Sequence, residues 1–430
     1  MKILIKNGHI IDPANNIDDV LDVLVEDEKI KKVDKDITDT ADKVIDASGK
    51  YVVPGLVDMH VHLREPGFEY KEDIVSGTKA AVMGGVTSVA CMPNTKPVAD
   101  NAAVVTYIKD RAKNYGYVNV FPIGTISKGM QGKELSEMGD LKEAGAVAVS
   151  DDGRPVSEPI LMRRALQYAQ MFNLPVISHC EDLSLADDGD INEGFMSTYL
   201  GLRGITRAAE EVQASRDILI AEATNTAVHI AHVSTRGTVD LVRQGKKRGV
   251  KVTCETAPHY FTLTEKAVDG FNTNAKMNPP LRTDDDVEAI IEGLLDGTID
   301  AIITDHAPHH IDEKNCEFSL ALNGIVGLET SLALGLTYLV KTNKLTLNEL
   351  IALMSIKPAR ILNIDKGTLS VGADADITIF DINKEWVVNV NEFASKSKNS
   401  PYDGFKLYGK PEYVIVGGKI RVNNGILEER

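Results

Sequence analysis

Eight short apolar runs recur through the middle of the chain, each followed by a turn and, in most cases, by a stretch with helical spacing. They are YVVPGLVDMHVH (51–62), VTSVACMPN (86–94), VNVFPIGTIS (118–127), AVAVSDD (146–152), LPVISHCE (174–181), AVHIAHVS (227–234), VKVTCETAPH (250–259) and DAIITDHAPH (300–309). Runs this short, closed by Gly, Pro or polar residues, read as buried strands. Between them, SEPILMRRALQYAQMF and DDDVEAIIEGLLDG repeat apolar residues at helical intervals. Strand and helix alternating eight times predict an α/β fold, a (β/α)8 TIM barrel, over residues 53–364.

The two ends read differently. Residues 1–52 and 365–430 hold β-type segments such as KILIKNGHII, DVLVEDEKIKKV, ADITIFDI and EYVIVGGKIRV. Neither end has strands enough for its own sandwich, so the two are expected to pair into one small β-sandwich domain. SKSKNSPYDG (395–404) reads as a surface loop within it. No internal repeat or low-complexity segment interrupts the chain.

Composition narrows the function classes. The 430 residues are 43% hydrophobic and 26% charged, an ordinary globular balance. A net charge of −16 argues against nucleic acid as a partner, because phosphate backbones demand a basic face. The four cysteines form no CxxC pair, which suits a reducing, cytoplasmic setting. Lys6 and Asn7 interrupt the apolar start where a secretion signal would be unbroken, and no apolar stretch is long enough to span a membrane.

Most of the ten histidines fall at or just beyond the C-terminal ends of the predicted strands, the face on which barrel enzymes build their sites. His60 and His62 in DMHVHLREP alternate, so both imidazoles share one face of a strand. Such a pair alone would more often be two polar residues on a half-exposed strand; other ligand types at the same end favour metal binding. VISHCE brings His179. In HIAHVS an offset of three puts His229 and His232 on opposite faces, with His232 the better ligand and His229 packed against helices. AIITDHAPHH closes a strand with Asp305, costly there unless solvated or paired with charge. Beyond it His309 could bond a substrate, while His306 and His310 read as loop or surface groups.

One acid of SDDG, Asp151 or Asp152, completes a set too large for one tetrahedral zinc. Imidazole with carboxylate suits Zn2+ over calcium or magnesium, so two ions with a bridging carboxylate are expected, one ion being the alternative. Such a pair implies hydrolysis of an amide or its reverse. Arg64 could grip a carboxylate through its planar fork, and Asn94 and Asn278 each offer a donor and an acceptor, though either alone is more often a turn residue. His259 is expected to support a ligand rather than bind metal.

DMHVHLREP and TDHAPHHIDEK, with MPN, ISHCE, HIAHVS, CETAPHY, KMNPPLR and GIVGLET in order, resemble the dihydroorotase family of the amidohydrolase superfamily, in its longer bacterial and archaeal type I branch. The resemblance implies reversible cyclisation of N-carbamoyl-L-aspartate to L-dihydroorotate in pyrimidine synthesis. It assigns His60, His62 and Asp305 to one metal, His179 and His232 to the second, and Asp152, directly before the glycine, to both. Asp305 becomes the proton-transferring residue. The carboxylate site takes Arg64, Asn94 and His309. His62 also lies on the substrate side, and Asn278 with the Asn323–Gly324 backbone flanks the ring. It further suggests a homodimer, with aspartate transcarbamoylase as a candidate partner. Three features depart from related sequences: the fourth-strand motif has no lysine, where hydantoinases, allantoinases and some dihydroorotases carry a carboxylated one and the longer branch tends to show an aspartate; Asn323 stands where an aromatic residue is expected; and GLRGITRAAE replaces a more proline-rich loop. The rivals are another cyclic amidohydrolase (dihydropyrimidinase, hydantoinase or allantoinase) and a non-catalytic scaffold homologue. The first is disfavoured by Arg64 and the missing lysine, the second by the complete ligand set.

Overall fold

A computed structural model describes residues 1–430. Eight parallel strands pair in chain order: Leu56–Val61, Val86–Cys91, Asn119–Gly124, Ala148–Ser150, Val176–Ser178, Ala227–Ile230, Lys251–Thr256 and Ala301–Ile302. A parallel bridge from Val61 to His306, with the His62 amide donating to the His306 carbonyl at 2.8 Å, joins the last strand's extension to the first and closes the ring. The main core is one cluster of 89 buried residues that fills the barrel and its helices and runs on into the second sheet at Ile11, Phe380, Val414 and Val422. The second strand is buried along its whole length, as a parallel strand covered on both faces must be.

Several of the helices start at a capping side chain. Arg236–Lys247 begins at Thr235, whose hydroxyl accepts from the Thr238 amide at 3.1 Å, a cap worth about 1 kcal/mol. Val239 and Val242 face the barrel, and Lys246 and Lys247 complement the dipole in the last turn.

The run 51–62 divides at Gly55. Tyr51–Pro54 belongs to a second sheet, and only Leu56–Val61 enters the barrel. A Cβ on Gly55 would lie 2.2 Å from Thr87 Oγ1, so the changeover has room for glycine alone. The second sheet has nine strands drawn from both chain ends. In it Tyr51–Pro54 lies between Lys2–Asp12 (parallel) and Ile377–Phe380 (antiparallel). The sheet encloses its own core of 14 residues, among them Ile3, Ile5, Val23, Val25, Ile45, Ile377 and Ile415.

Residues 395–404 are not a surface loop of this sheet. Ser395, Ser397, Asn399, Ser400 and Tyr402 are buried, because the segment runs over the barrel as a strap. Glu329 accepts the Ala394 and Ser395 amides at 3.1 and 3.2 Å, Glu72 accepts the Lys396 amide at 3.2 Å, and Ser397 Oγ donates to the Lys71 carbonyl at 2.7 Å. A polar stretch can be buried when its groups are so paired.

Candidate active site

Six of the side chains expected to bind metal meet at the C-terminal mouth. Asp152 Oδ1 lies 3.4 Å from His60 Nε2, 3.4 Å from His179 Nδ1 and 3.5 Å from His232 Nε2; its Oδ2 lies 3.5 Å from His62 Nε2. Asp305 Oδ1 sits 3.1 Å from His62 Nε2 and 3.6 Å from His60 Nε2. His179 Nδ1 and His232 Nε2 are 2.7 Å apart.

The two aspartates of SDDG separate cleanly. The fourth strand ends at Ser150, and Asp151 turns to the neighbouring loop, where it accepts the Ile126 and Ser127 amides at 2.8 and 3.1 Å. Burial pushes its pKa up to about 6. Asp152 alone faces the histidines. His229 and His232 do not diverge as strict alternation requires. The sixth strand stops at Ile230 and His232 takes a left-handed φ of 33°, which turns its ring to Asp152, while His229 faces Glu255 below rather than the helices. Asp305 is turned in the same way, with φ of 46°. His306 is buried and not a loop-surface group; its Nδ1 accepts from the Gly327 amide at 3.2 Å and its Nε2 faces Glu72. His310 is partly exposed and caps the helix Ile311–Lys314.

The residues fit a metal. His60 Nε2 and Asp152 Oδ1 are both buried and have no hydrogen-bond partner, an expensive condition unless a cation sits between them. Potential ligand atoms of His60, Asp152 and His232, and again of His60, His62 and Asp305, lie within 4.8 Å of one another. Burial opposes ionisation of Asp305, but His60 and His62 outweigh it and hold the pKa down to about 2. Asp152 is held well below the carboxylate range against the same burial by His60, His179 and His232. Both acids are therefore anions at neutral pH.

A cavity of about 210 Å³ opens above the cluster, lined by His62, Arg64, Asn94, Asp152, His179, His232, Asn278, Asp305, His309, Asn323 and Gly324 among others. Of the expected site residues only His60 is absent from its wall, because it lies buried underneath. Arg64 is anchored by Nε donating to the Pro308 carbonyl at 3.1 Å. His62 Nδ1 donates to Asn94 Oδ1 at 2.9 Å, which leaves the Nε2 lone pair for the cluster. His309 Nε2 donates to the Asn323 carbonyl at 2.7 Å. Its Nδ1 lies 3.4 Å from both Lys71 Nζ and Glu313 Oε2, and a neutral ring protonated on Nε2 can only accept there, so Lys71 is the partner. Burial, then Arg64 and Lys71, push the His309 pKa far down and keep it neutral. Gly324 gives the site space: its amide is spent on the Lys276 carbonyl at 3.0 Å, and with φ of 147° a Cβ would lie 2.6 Å from the Ala307 carbonyl oxygen. His259 is buried against Tyr260 behind the cluster, with its pKa pushed down by burial to about 4.

Sequence reasoning missed three supports. Glu181 accepts from Asn278 Nδ2 on both oxygens at 3.1 Å and pairs with His179 Nε2 at 3.4 Å; its place directly after ISHC was the available signal. Lys314 is buried and donates to the Leu322 and Gly324 carbonyls at 2.8 and 3.2 Å, fixing the loop under Asn323. Asn399 of the strap accepts the His309 amide at 3.1 Å and donates to the Ala307 and Gly324 carbonyls at 3.1 and 3.0 Å. Asn399→Ala is expected to raise the Michaelis constant for substrate more than it lowers kcat, since it loosens walls of the cavity rather than the metal cluster. Steady-state kinetics check this, and an unchanged Michaelis constant would count against it.

A (β/α)8 barrel whose strand ends gather histidines and aspartates over a small polar cavity defines the amidohydrolase class. The Dihydro-orotase-like family matches residues 49–238, and the Amidohydrolase family matches residues 322–422. A dihydroorotase of Acetivibrio thermocellus is 61% identical over 424 residues, covering 99% of this chain and 100% of that protein. One of Ruminiclostridium cellulolyticum is 60% identical over 427 residues, with the same coverage of 99% and 100%. Among solved structures, an L-hydantoinase (dihydropyrimidinase) from Arthrobacter aurescens superposes with a TM-score of 0.90 at 26% identity, covering 100% of this chain and 97% of that one. The chain belongs to the dihydroorotase family. No helix is long and apolar enough to cross a membrane.

Proposed function

We propose that this chain catalyses the reversible cyclisation of N-carbamoyl-L-aspartate to L-dihydroorotate, with two zinc ions per subunit held by His60, His62, Asp152, His179, His232 and Asp305. The observation that carries the reading is a guanidinium, Arg64, in one small cavity with the histidine–aspartate cluster. A cyclic amide bearing a carboxylate satisfies both ends of such a cavity. Hydantoin and allantoin lack that carboxylate, so the hydantoinase likeness supports the barrel rather than the substrate.

Zinc held by these residues supplies an acidified water and polarises a carbonyl. Arg64 with neutral His309 and Asn94 holds the substrate carboxylate, and Asn278 with the Asn323 backbone sets the ring over the cluster. In the hydrolytic direction the Asp305 carboxylate takes a proton from the attacking water and delivers it to the ring nitrogen as the amide bond opens. The roles reverse in cyclisation. In this reading residues 53–364 are the catalytic domain, 1–52 with 365–430 form its small β domain, and the enzyme works in the cytoplasm as a homodimer, with aspartate transcarbamoylase as a candidate partner.

The direct test is dihydroorotate hydrolysis by protein of measured zinc content. Turnover that disappears on chelation and returns with zinc is expected; preference for hydantoin or allantoin, or neither zinc nor activity, overturns the proposal. Arg64→Met is expected to raise the Michaelis constant by roughly 10–100-fold, the loss of a charged hydrogen-bonding partner, with little change in unfolding temperature. An unchanged Michaelis constant refutes the carboxylate grip.

A further inference from the structure

Beneath the cluster lies a carboxylate that this reaction does not use. Glu255, on the seventh barrel strand, has no solvent exposure. Its Oε1 is 2.6 Å from His60 Nδ1 and its Oε2 is 3.2 Å from His229 Nε2. His229 Nδ1 is in turn 2.8 Å from Thr253 Oγ1, two residues before Glu255 and on the same face of its strand. Barrel interiors are ordinarily filled with branched aliphatic side chains. An ionised acid with a histidine and a threonine in that position is costly, and packing alone would be served more cheaply by Val or Leu.

The geometry explains the cost. An imidazole has one donor and one acceptor nitrogen when neutral, and the hydrogen bond made by one decides what the other can do. With Nδ1–H donating to Glu255, the lone pair of His60 must be on Nε2. That atom faces Asp152 and Asp305 and has no hydrogen-bond partner. The Thr253 hydroxyl, donating to His229 Nδ1, leaves Nε2–H of His229 facing the second oxygen of Glu255 at 3.2 Å, without a hydrogen bond between them. One carboxylate oxygen is fixed on His60 and the other faces the His229 ring, so polar groups run from Thr253 through His229 and Glu255 to His60 and the cluster.

We propose that Glu255 is the positioning residue of the metal centre: it fixes the tautomer and ring plane of His60 from the floor of the barrel, and so sets the affinity for the divalent cation. The proposal rests on the reading of His60 as a metal ligand. A carboxylate behind an imidazole also makes it a stronger donor, and loss of such a partner costs 10–100-fold in metal affinity.

Glu255→Gln keeps the shape and removes the charge. Zinc affinity, measured by competition with a chromogenic chelator, is expected to fall by about 10–100-fold, and by more in Glu255→Ala. A lowered unfolding temperature with wild-type zinc affinity means that the triad only braces the barrel, and overturns the proposal. Should neither variant fold, the zinc-loaded wild type decides through 15N-histidine NMR, with His60 assigned from His60→Asn. A protonated Nδ1 whose proton is shifted far downfield, with zinc on Nε2, is expected; an unprotonated or metal-bound Nδ1 overturns the proposal. If His60 carries no zinc on either nitrogen, the underlying reading of the ligand set fails. If Nε2 carries zinc with equal affinity in wild type and Glu255→Gln, only the role of Glu255 fails.

Discussion

Asp305→Asn is expected to cut kcat for dihydroorotate by roughly 10²–10⁴-fold, the usual loss when a positioned acid–base group is removed. The fold should survive. Asp305 lines the cavity, and the backbone that carries it is fixed elsewhere: the Thr304 amide and hydroxyl both bond to Asp58, at 3.2 and 2.5 Å to Oδ2. The His306 carbonyl holds the His62 amide, so the left-handed turn at Asp305 is spanned on both sides. Asn keeps an oxygen toward the cluster but cannot accept and return a proton at neutral pH. The measurement is steady-state turnover together with circular dichroism and zinc content. Activity within tenfold of wild type, in protein that retains its zinc, would remove Asp305 from the proton transfer.

Much of this site could be read from strand ends. A buried parallel strand is a short apolar run, and a ligand placed after it reaches the mouth whatever the details of the barrel; His62, His179 and Asp305 were legible for that reason, and His60 through its alternation with His62 at the end of the first barrel strand. Period 2 failed where the strand had already ended. His232 lies beyond Ile230 with left-handed backbone, so its offset from His229 no longer fixes its face. The strap failed for a different reason. Its Ser, Lys and Asn residues carry the composition of an exposed loop, and their burial depends on acceptors such as Glu72 and Glu329, which are distant in sequence. Glu255 was hidden in the same way: within VTCET it occupies an alternating polar position, and its partner His60 lies 195 residues away. Local pattern cannot report a partner supplied by another strand of a closed barrel.

The contrast between the paired acids of SDDG carries the second large effect. Asp152→Asn is expected to lower zinc affinity by at least about 100-fold, because losing a mere partner of a ligand already costs 10–100-fold, and to abolish turnover with it. The reason is geometric: both oxygens of Asp152 face imidazole nitrogens, one of them toward His60, His179 and His232 together. An amide there offers one neutral oxygen and an N–H group that repels a cation. Asp151→Asn removes the same charge one residue away, yet its carboxylate only ties down the Ile126–Ser127 loop. That variant should keep its zinc and lose about 1–3 kcal/mol of stability through weakened buried hydrogen bonds. Metal analysis after dialysis, paired with thermal unfolding, separates the two. Full zinc retention in Asp152→Asn, or zinc loss in Asp151→Asn at unchanged stability, would reverse the assignment of the two carboxylates and with it the bridge between the metal positions.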